Sequence, residues 1–174
     1  MSDPRLARFE QAILRHLGAA YNLARWLTRN DHDADDVVQE AYLRAYQFFD
    51  SFHGGDGRAW LLRIVRNTCY TWTEKNRPRE PATTFDETKH SGMRSAPGPE
   101  EPLLAGENRD VLRRALAELP DEYREAIVLR ELEGLSYKEI AAVTGAPIGT
   151  VMSRLARARE RLHECLARRF PEEP

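Results

Sequence analysis

The chain has 174 residues, 31% of them charged, and a net charge of −2. That length suits one large domain or two small ones with modest cores. Cys69 and Cys165 belong to no CxxC pair and His163 adds too little to them, so neither a disulfide framework nor a metal site is expected. No apolar run is long enough to span a membrane and no signal peptide opens the chain, so the expectation is a cytoplasmic protein with no direct membrane insertion.

Helical periodicity is nearly continuous and strand signals are almost absent. The expected fold is all-α: two small helical domains, residues 1–77 and 107–174, joined by a flexible Pro/Gly-containing linker over 78–106. Leu6, Phe9, Ile13 and Leu17 recur at helical steps, and Tyr21, Ala24 and Leu27 continue the pattern to a break at Asn30–Asp31. A third helix begins near His32 or Asp33, where acids favour a helix start, and ends about Phe49. Its side bearing Val37, Val38, Ala41, Ala45 and Phe48 should be core. The other side carries Asp36, Gln39, Glu40, Leu43 and Gln47, and a leucine among acids and amides is either an interaction face or a lone exposed leucine.

A glycine-rich loop, residues 50–57, leads to a fourth helix from about Arg58 to Lys75. Leu61, Ile64, Val65, Cys69 and Trp72 line its apolar side; Arg63, Arg66, Asn67 and Tyr70 share the other, with Trp60 at the edge. Cations interleaved with an amide and a phenol suit single-stranded or half-melted nucleic acid, because arginines neutralise phosphates and aromatic faces stack on bases. The alternative is a solvated basic face with Trp60 as a core anchor.

After the linker, helices are expected over Glu107–Leu119 and Asp121–Leu132, with Gly134 ending the second. Ser136 and Glu139 form a capping-box pattern for a short helix, Gly145 supplies the left-handed residue that ends it, and a last helix runs from about Ile148 to Arg169. On that last helix Val151, Leu155, Ala158 and Leu162 share one side; Thr150, Ser153, Arg154, Arg157 and Arg161 share the opposite one. A helix-turn-helix with an apolar seam behind and a hydroxyl-plus-arginine stripe in front is suited to the DNA major groove. A soluble helix face is the alternative. The charge balance points the same way: six arginines stand against two glutamates from Ile148 to Phe170, whereas Asp31, Asp33, Asp35, Asp36 and Glu40 form an acidic segment without Lys or Arg. The glycine-rich loop lacks the Lys-Ser/Thr of a phosphate-binding loop, and no nucleophile sits beside a plausible base. No enzymatic activity, cofactor or metal is expected.

Three blocks resemble a bacterial RNA polymerase sigma factor of the small extracytoplasmic-function (ECF) group. Residues 33–46 (DADDVVQEAYLRAY) resemble the core-binding helix of region 2, residues 58–67 (RAWLLRIVRN) its promoter-melting and −10-box helix, and residues 117–162 region 4, which reads the −35 box. The resemblance implies a transcription initiation factor that directs RNA polymerase core to specific promoters and assists strand opening. Asp36, Gln39, Glu40, Leu43 and Gln47 would then bind core polymerase. Arg63, Arg66, Asn67 and Tyr70 would bind the −10 element, and the loop residues Phe52 and His53 would receive a flipped −10 base, close to glycines that permit near approach. Thr150, Ser153, Arg154, Arg157 and Arg161 would read the −35 element with Tyr137 and Lys138 beside phosphates, while Arg159 points to the apolar flank. Met152 stands where many relatives carry a basic residue, which alters affinity or sequence choice. Implied partners are the polymerase core, promoter DNA and an anti-sigma factor. Competing readings are a sigma mimic that titrates an anti-sigma protein, and a self-sufficient helix-turn-helix repressor.

Overall fold

The computed structural model describes residues 1–76 and 106–170, so the expected linker lies outside the described residues, Gly106 excepted. Several helices begin or end for a local reason. In α1 (Pro4–Ile13) the Asp3 carboxylate accepts the Arg5 N–H at 2.9 Å, with a proline in the first turn where no donor is lost. A 3₁₀ turn, Leu14–His16, leads into α2 (Leu17–Thr28), which Arg29 ends in the left-handed region at φ 59°. The Asn30 side chain accepts from His32 and Asp33 to start α3 (Asp31–Gln47), and Asp31 and Asp33 lie at its positive end. The last helix of this half is α4 (Gly57–Asn76).

The second half comprises α5 (Gly106–Glu118), α6 (Asp121–Ile127), a wide π turn at Val128–Leu132, α7 (Tyr137–Thr144) and α8 (Ile148–Arg169). The capping box closes as expected: Ser136 Oγ accepts the Glu139 N–H at 3.1 Å, and the Glu139 carboxylate accepts the Ser136 N–H at 3.1 Å. Gly145, at φ 73°, ends α7 and makes the turn into α8. No strand occurs among the described residues.

Helices α2, α3 and α4 pack on one another, and α1 inserts Phe9 edge-on against Tyr42, Tyr46 and Phe49, with ring centroids 5.0, 5.2 and 5.3 Å away. In the second half α5, α6 and α7 pack on α8. The two halves also meet: α4 packs on α7, α2 on α6, and their buried apolar residues form one continuous core. The two helical domains thus pack on one another, and residues 124–129 are buried without exception, the charged Arg124 and Glu125 among them.

Arg124 ties α6 to the end of α5 within the second half. Its side chain is wholly buried, yet it donates to the Leu116, Ala117 and Leu119 carbonyls at 3.0, 3.3 and 2.6 Å and to Asp121 at 3.0 Å. The guanidinium thus satisfies the carbonyl oxygens that the end of α5 leaves over. One expectation about the core needs correction. Phe48 is 56% exposed, because α3 stops at Gln47 and Phe48, as the residue after it, turns outward at φ −98°, ψ 12°. The other four core residues expected on α3 lie inward, Val38 less completely than Val37, Ala41 and Ala45.

Candidate nucleic-acid and polymerase interfaces

The stripe on α8 is open to solvent. Val151, Leu155 and Ala158 are buried behind it, while Ser153, Arg157 and Arg161 are exposed and Thr150 and Arg154 are half-buried. Gly149, Thr150, Ser153, Arg154 and Arg157 line an open groove whose other wall is Glu122 and Tyr123 of α6. Two α6 residues that periodicity did not single out shape this face: Glu122 lies 3.7 Å from the Arg154 guanidinium, and Arg161 stacks 5.0 Å above the Tyr123 ring. Lys138 is exposed at the start of α7; Tyr137 is half-buried beneath the Arg130 guanidinium at 4.8 Å. Arg159 turns away from the stripe to Glu131, at 2.9 Å.

The face on α4 is divided. Arg63 and Asn67 are exposed, but Arg66 and Tyr70 reach across the junction to Glu125 of α6, which is fully buried. Arg66 Nε donates to one Glu125 oxygen at 2.5 Å and the Tyr70 hydroxyl to the other at 3.1 Å, while the Arg66 guanidinium lies 4.3 Å over the Tyr70 ring. Burial pushes the Glu125 carboxyl upward, and the two donors oppose that shift. Burial raises the Tyr70 hydroxyl as well, with the nearby Glu125 carboxylate adding to it, which keeps it a donor. Arg58 extends the same seam, donating to the Glu133 carbonyl at 3.1 Å and the Glu139 carboxylate at 3.3 Å, and the Asn22 amide donates to Glu133 Oε1 at 2.7 Å. Hydrogen bonds donated by the Ser136 N–H and by Arg58 hold the Glu139 carboxyl well below the usual carboxylate range. Glu125 had no sequence signal. A glutamate next to an arginine in an amphipathic helix reads as solvated until its packing is known.

The two loop candidates separate. Phe52 turns inward, its ring stacked 5.8 Å from Phe49 and tilted 5.1 Å from Trp60, whereas His53 is exposed. Trp60 is half-buried in this aromatic stack, which favours its reading as a core anchor. On α3, Asp36, Gln39, Leu43 and Gln47 are exposed, Leu43 at 68%, and Glu40 is half-buried and held by Arg44 at 2.6 Å. Phe48, just past the end of α3, adds an exposed aromatic ring near the Gln47 end of the helix.

Among the described residues no group of three His, Cys, Asp or Glu side chains is arranged to hold a metal ion, and no helix is long and apolar enough to cross a membrane.

The family model for Sigma-70 region 2 matches residues 12–79 and that for Sigma-70 region 4 matches residues 109–162, so the two halves are modules of a sigma-70-type transcription factor. The chain is 43% identical over 135 residues to the ECF RNA polymerase sigma-E factor of Escherichia coli K12, covering 74% of this chain and 71% of that protein. It is 40% identical over 147 residues to the sigma-E factor of Haemophilus influenzae, covering 79% and 76%. Among solved structures it is similar to the Bartonella quintana sigma factor RpoE in complex with the anti-sigma factor NepR, at TM-score 0.73, 33% identity and coverage of 91% and 96%. It is also similar to CnrH in complex with the cytosolic domain of CnrY, at TM-score 0.63, 29% identity and coverage of 91% and 86%. The chain belongs to the ECF sigma factor family, whose members are promoter-specific transcription initiation factors.

Proposed function

We propose that residues 1–77 dock on core polymerase through Asp36, Gln39, Glu40, Leu43 and Gln47, joined by Phe48, and that the α4 face engages the −10 element. Residues 107–174 place α8 in the major groove of the −35 element. The observation that carries this reading is the open stripe of α8 behind a capped helix-turn-helix. Thr150, Ser153, Arg154 and Arg157 lie together on one groove, with the seam of Val151, Leu155 and Ala158 fixing the helix in place. Arginine can bond guanine bidentately there while the hydroxyls and Lys138 meet phosphates. His53 is free to approach a displaced base. Phe52 instead backs the loop from the aromatic stack.

The packed arrangement of the two halves is not the DNA-bound one in this reading. The Glu125 carboxylate occupies the donors of Arg66 and Tyr70 that a promoter phosphate would use, so binding polymerase and promoter separates α6 from α4. An anti-sigma protein, the kind of partner with which the Bartonella quintana neighbour is in complex, would hold them together. The chain contributes promoter address and strand opening in the cytoplasm, and the chemistry stays with the polymerase.

Transcription of genomic fragments by bacterial core polymerase, with and without the chain, tests this. New start sites sharing two spaced boxes are expected. Arg154→Ala should weaken specific promoter DNA by the cost of a lost base contact, about 1–3 kcal/mol, and nonspecific DNA much less, whereas Lys138→Ala should weaken both alike. Equal losses for Arg154→Ala would contradict base readout, and retained core binding without new transcripts would indicate a sigma mimic.

A further inference from the structure

The solvent side of α8 changes character along its length. From residue 157 onward, its exposed positions are Arg157, Arg159, Glu160, Arg161, His163, Glu164, Ala167, Arg168 and Arg169, which is how a solvated helix face is ordinarily built. Before residue 157 the exposed positions are Ile148, Gly149, Met152, Ser153 and Ala156, and none is charged. Ile148 and Met152 are 46% and 52% exposed. Ile148, Met152 and Ala156 are four residues apart, so they make one apolar strip beside the Ser153–Arg157 stripe.

Gly149, in the first turn of α8, leaves bare backbone on the groove wall: a Cβ built there meets no protein atom within 4 Å. The groove it lines with Arg154 and Arg157 therefore has room for a close approach by a polyanion.

In the major groove the feature read by an apolar side chain is the 5-methyl group of thymine. We infer that Met152 is a specificity-determining residue that selects thymine at one position of the upstream box, with Ile148 and Ala156 continuing the apolar strip along the groove. Met152 therefore governs sequence choice rather than general affinity. A thioether cannot neutralise a phosphate, so it offers nothing to nonspecific DNA. This rests on the proposed placement of α8 in the −35 element.

The test uses holoenzyme formed with the full chain and a promoter whose upstream box has been defined by the transcription experiment above. Each thymine in the box, on either strand, is replaced in turn by deoxyuridine, which removes only the methyl group. One position is expected at which binding falls about fourfold, the order of one methyl group returned to water, and at which Met152→Ala abolishes the difference between thymine and deoxyuridine. Met152→Arg should shift the preference at that position to guanine. A box without thymine, insensitivity to deoxyuridine at every position, or a methyl effect that persists in Met152→Ala would overturn the inference. Scrambling the whole box separates the two levels: if scrambling has no effect, the placement of α8 itself fails. If scrambling abolishes binding but deoxyuridine does nothing, only the role of Met152 fails.

Discussion

Arg66 and Cys69 occupy α4 three residues apart, and their environments set opposite availabilities. Arg66 keeps 21% of its side chain exposed and has an alternative to its partner, since it can swing from Glu125 to solvent or phosphate. Cys69 is 1% exposed and has none. Burial, with Glu125 adding to it, pushes its thiol up to about 12. The thiolate is the reactive form, and the raised value keeps the folded thiol protonated through pH 8. Cys165, with 7% exposure, is raised in the same direction by burial and by its contact with Glu118. Mass spectrometry after brief iodoacetamide treatment at pH 8 should find Cys69 unmodified in the native chain and modified once urea unfolds it. Rapid native labelling of Cys69 would contradict the packing around α4.

At the scale of elements, most of the architecture was legible because it obeys local rules. The α8 seam, the Ser136–Glu139 box and the Gly145 turn follow from periodicity, capping and the left-handed preference of glycine. The α3 face was legible for the same reason, apart from Phe48, whose side depends on where the helix stops rather than on its phase. Arg124 and Glu125 were not legible. Both look like ordinary surface charges of a short helix, and their burial depends on a second layer of helices packing on α6. Arg124 should accordingly be intolerant of a conservative change. Lysine carries the charge but not the planar fork that reaches three carbonyls, and each hydrogen bond from a charged donor contributes about 1.5–3 kcal/mol. Arg124→Lys is expected to cost about 2–3 kcal/mol in urea unfolding, with α8's exposed stripe untouched. A loss below about 0.5 kcal/mol would mean that the carbonyls at the end of α5 find other partners.

At the scale of the molecule, the proposed opening would have to break the bonds from Arg66 and Tyr70 of α4 to Glu125 of α6. Glu125 is the residue to change, because it contributes two charge-assisted bonds and touches no residue of the α8 stripe except through charge. Glu125→Gln keeps the shape and removes the ion pair. About 1–3 kcal/mol of lost interaction should raise the open population several-fold or more. Energy transfer between dyes on Glu10→Cys and Glu160→Cys, both at exposed sites, would report the separation. Efficiency should fall in Glu125→Gln while helical content by circular dichroism stays the same. Unchanged efficiency would mean that the continuous apolar core, rather than the Glu125 cluster, holds the halves together.

The closed junction also bears on how the free chain meets the chromosome. Nonspecific affinity for DNA grows with the number of phosphates neutralised, through release of condensed counterions. With Arg66 turned onto Glu125 and Arg58 onto Glu139, the chain presents its cationic α8 but withholds part of the α4 row. It therefore displaces fewer ions, dwells less on the vast excess of irrelevant sequence, and stays available to polymerase. In the proposed open state on polymerase, Arg66 and Arg58 would join the already exposed Arg63.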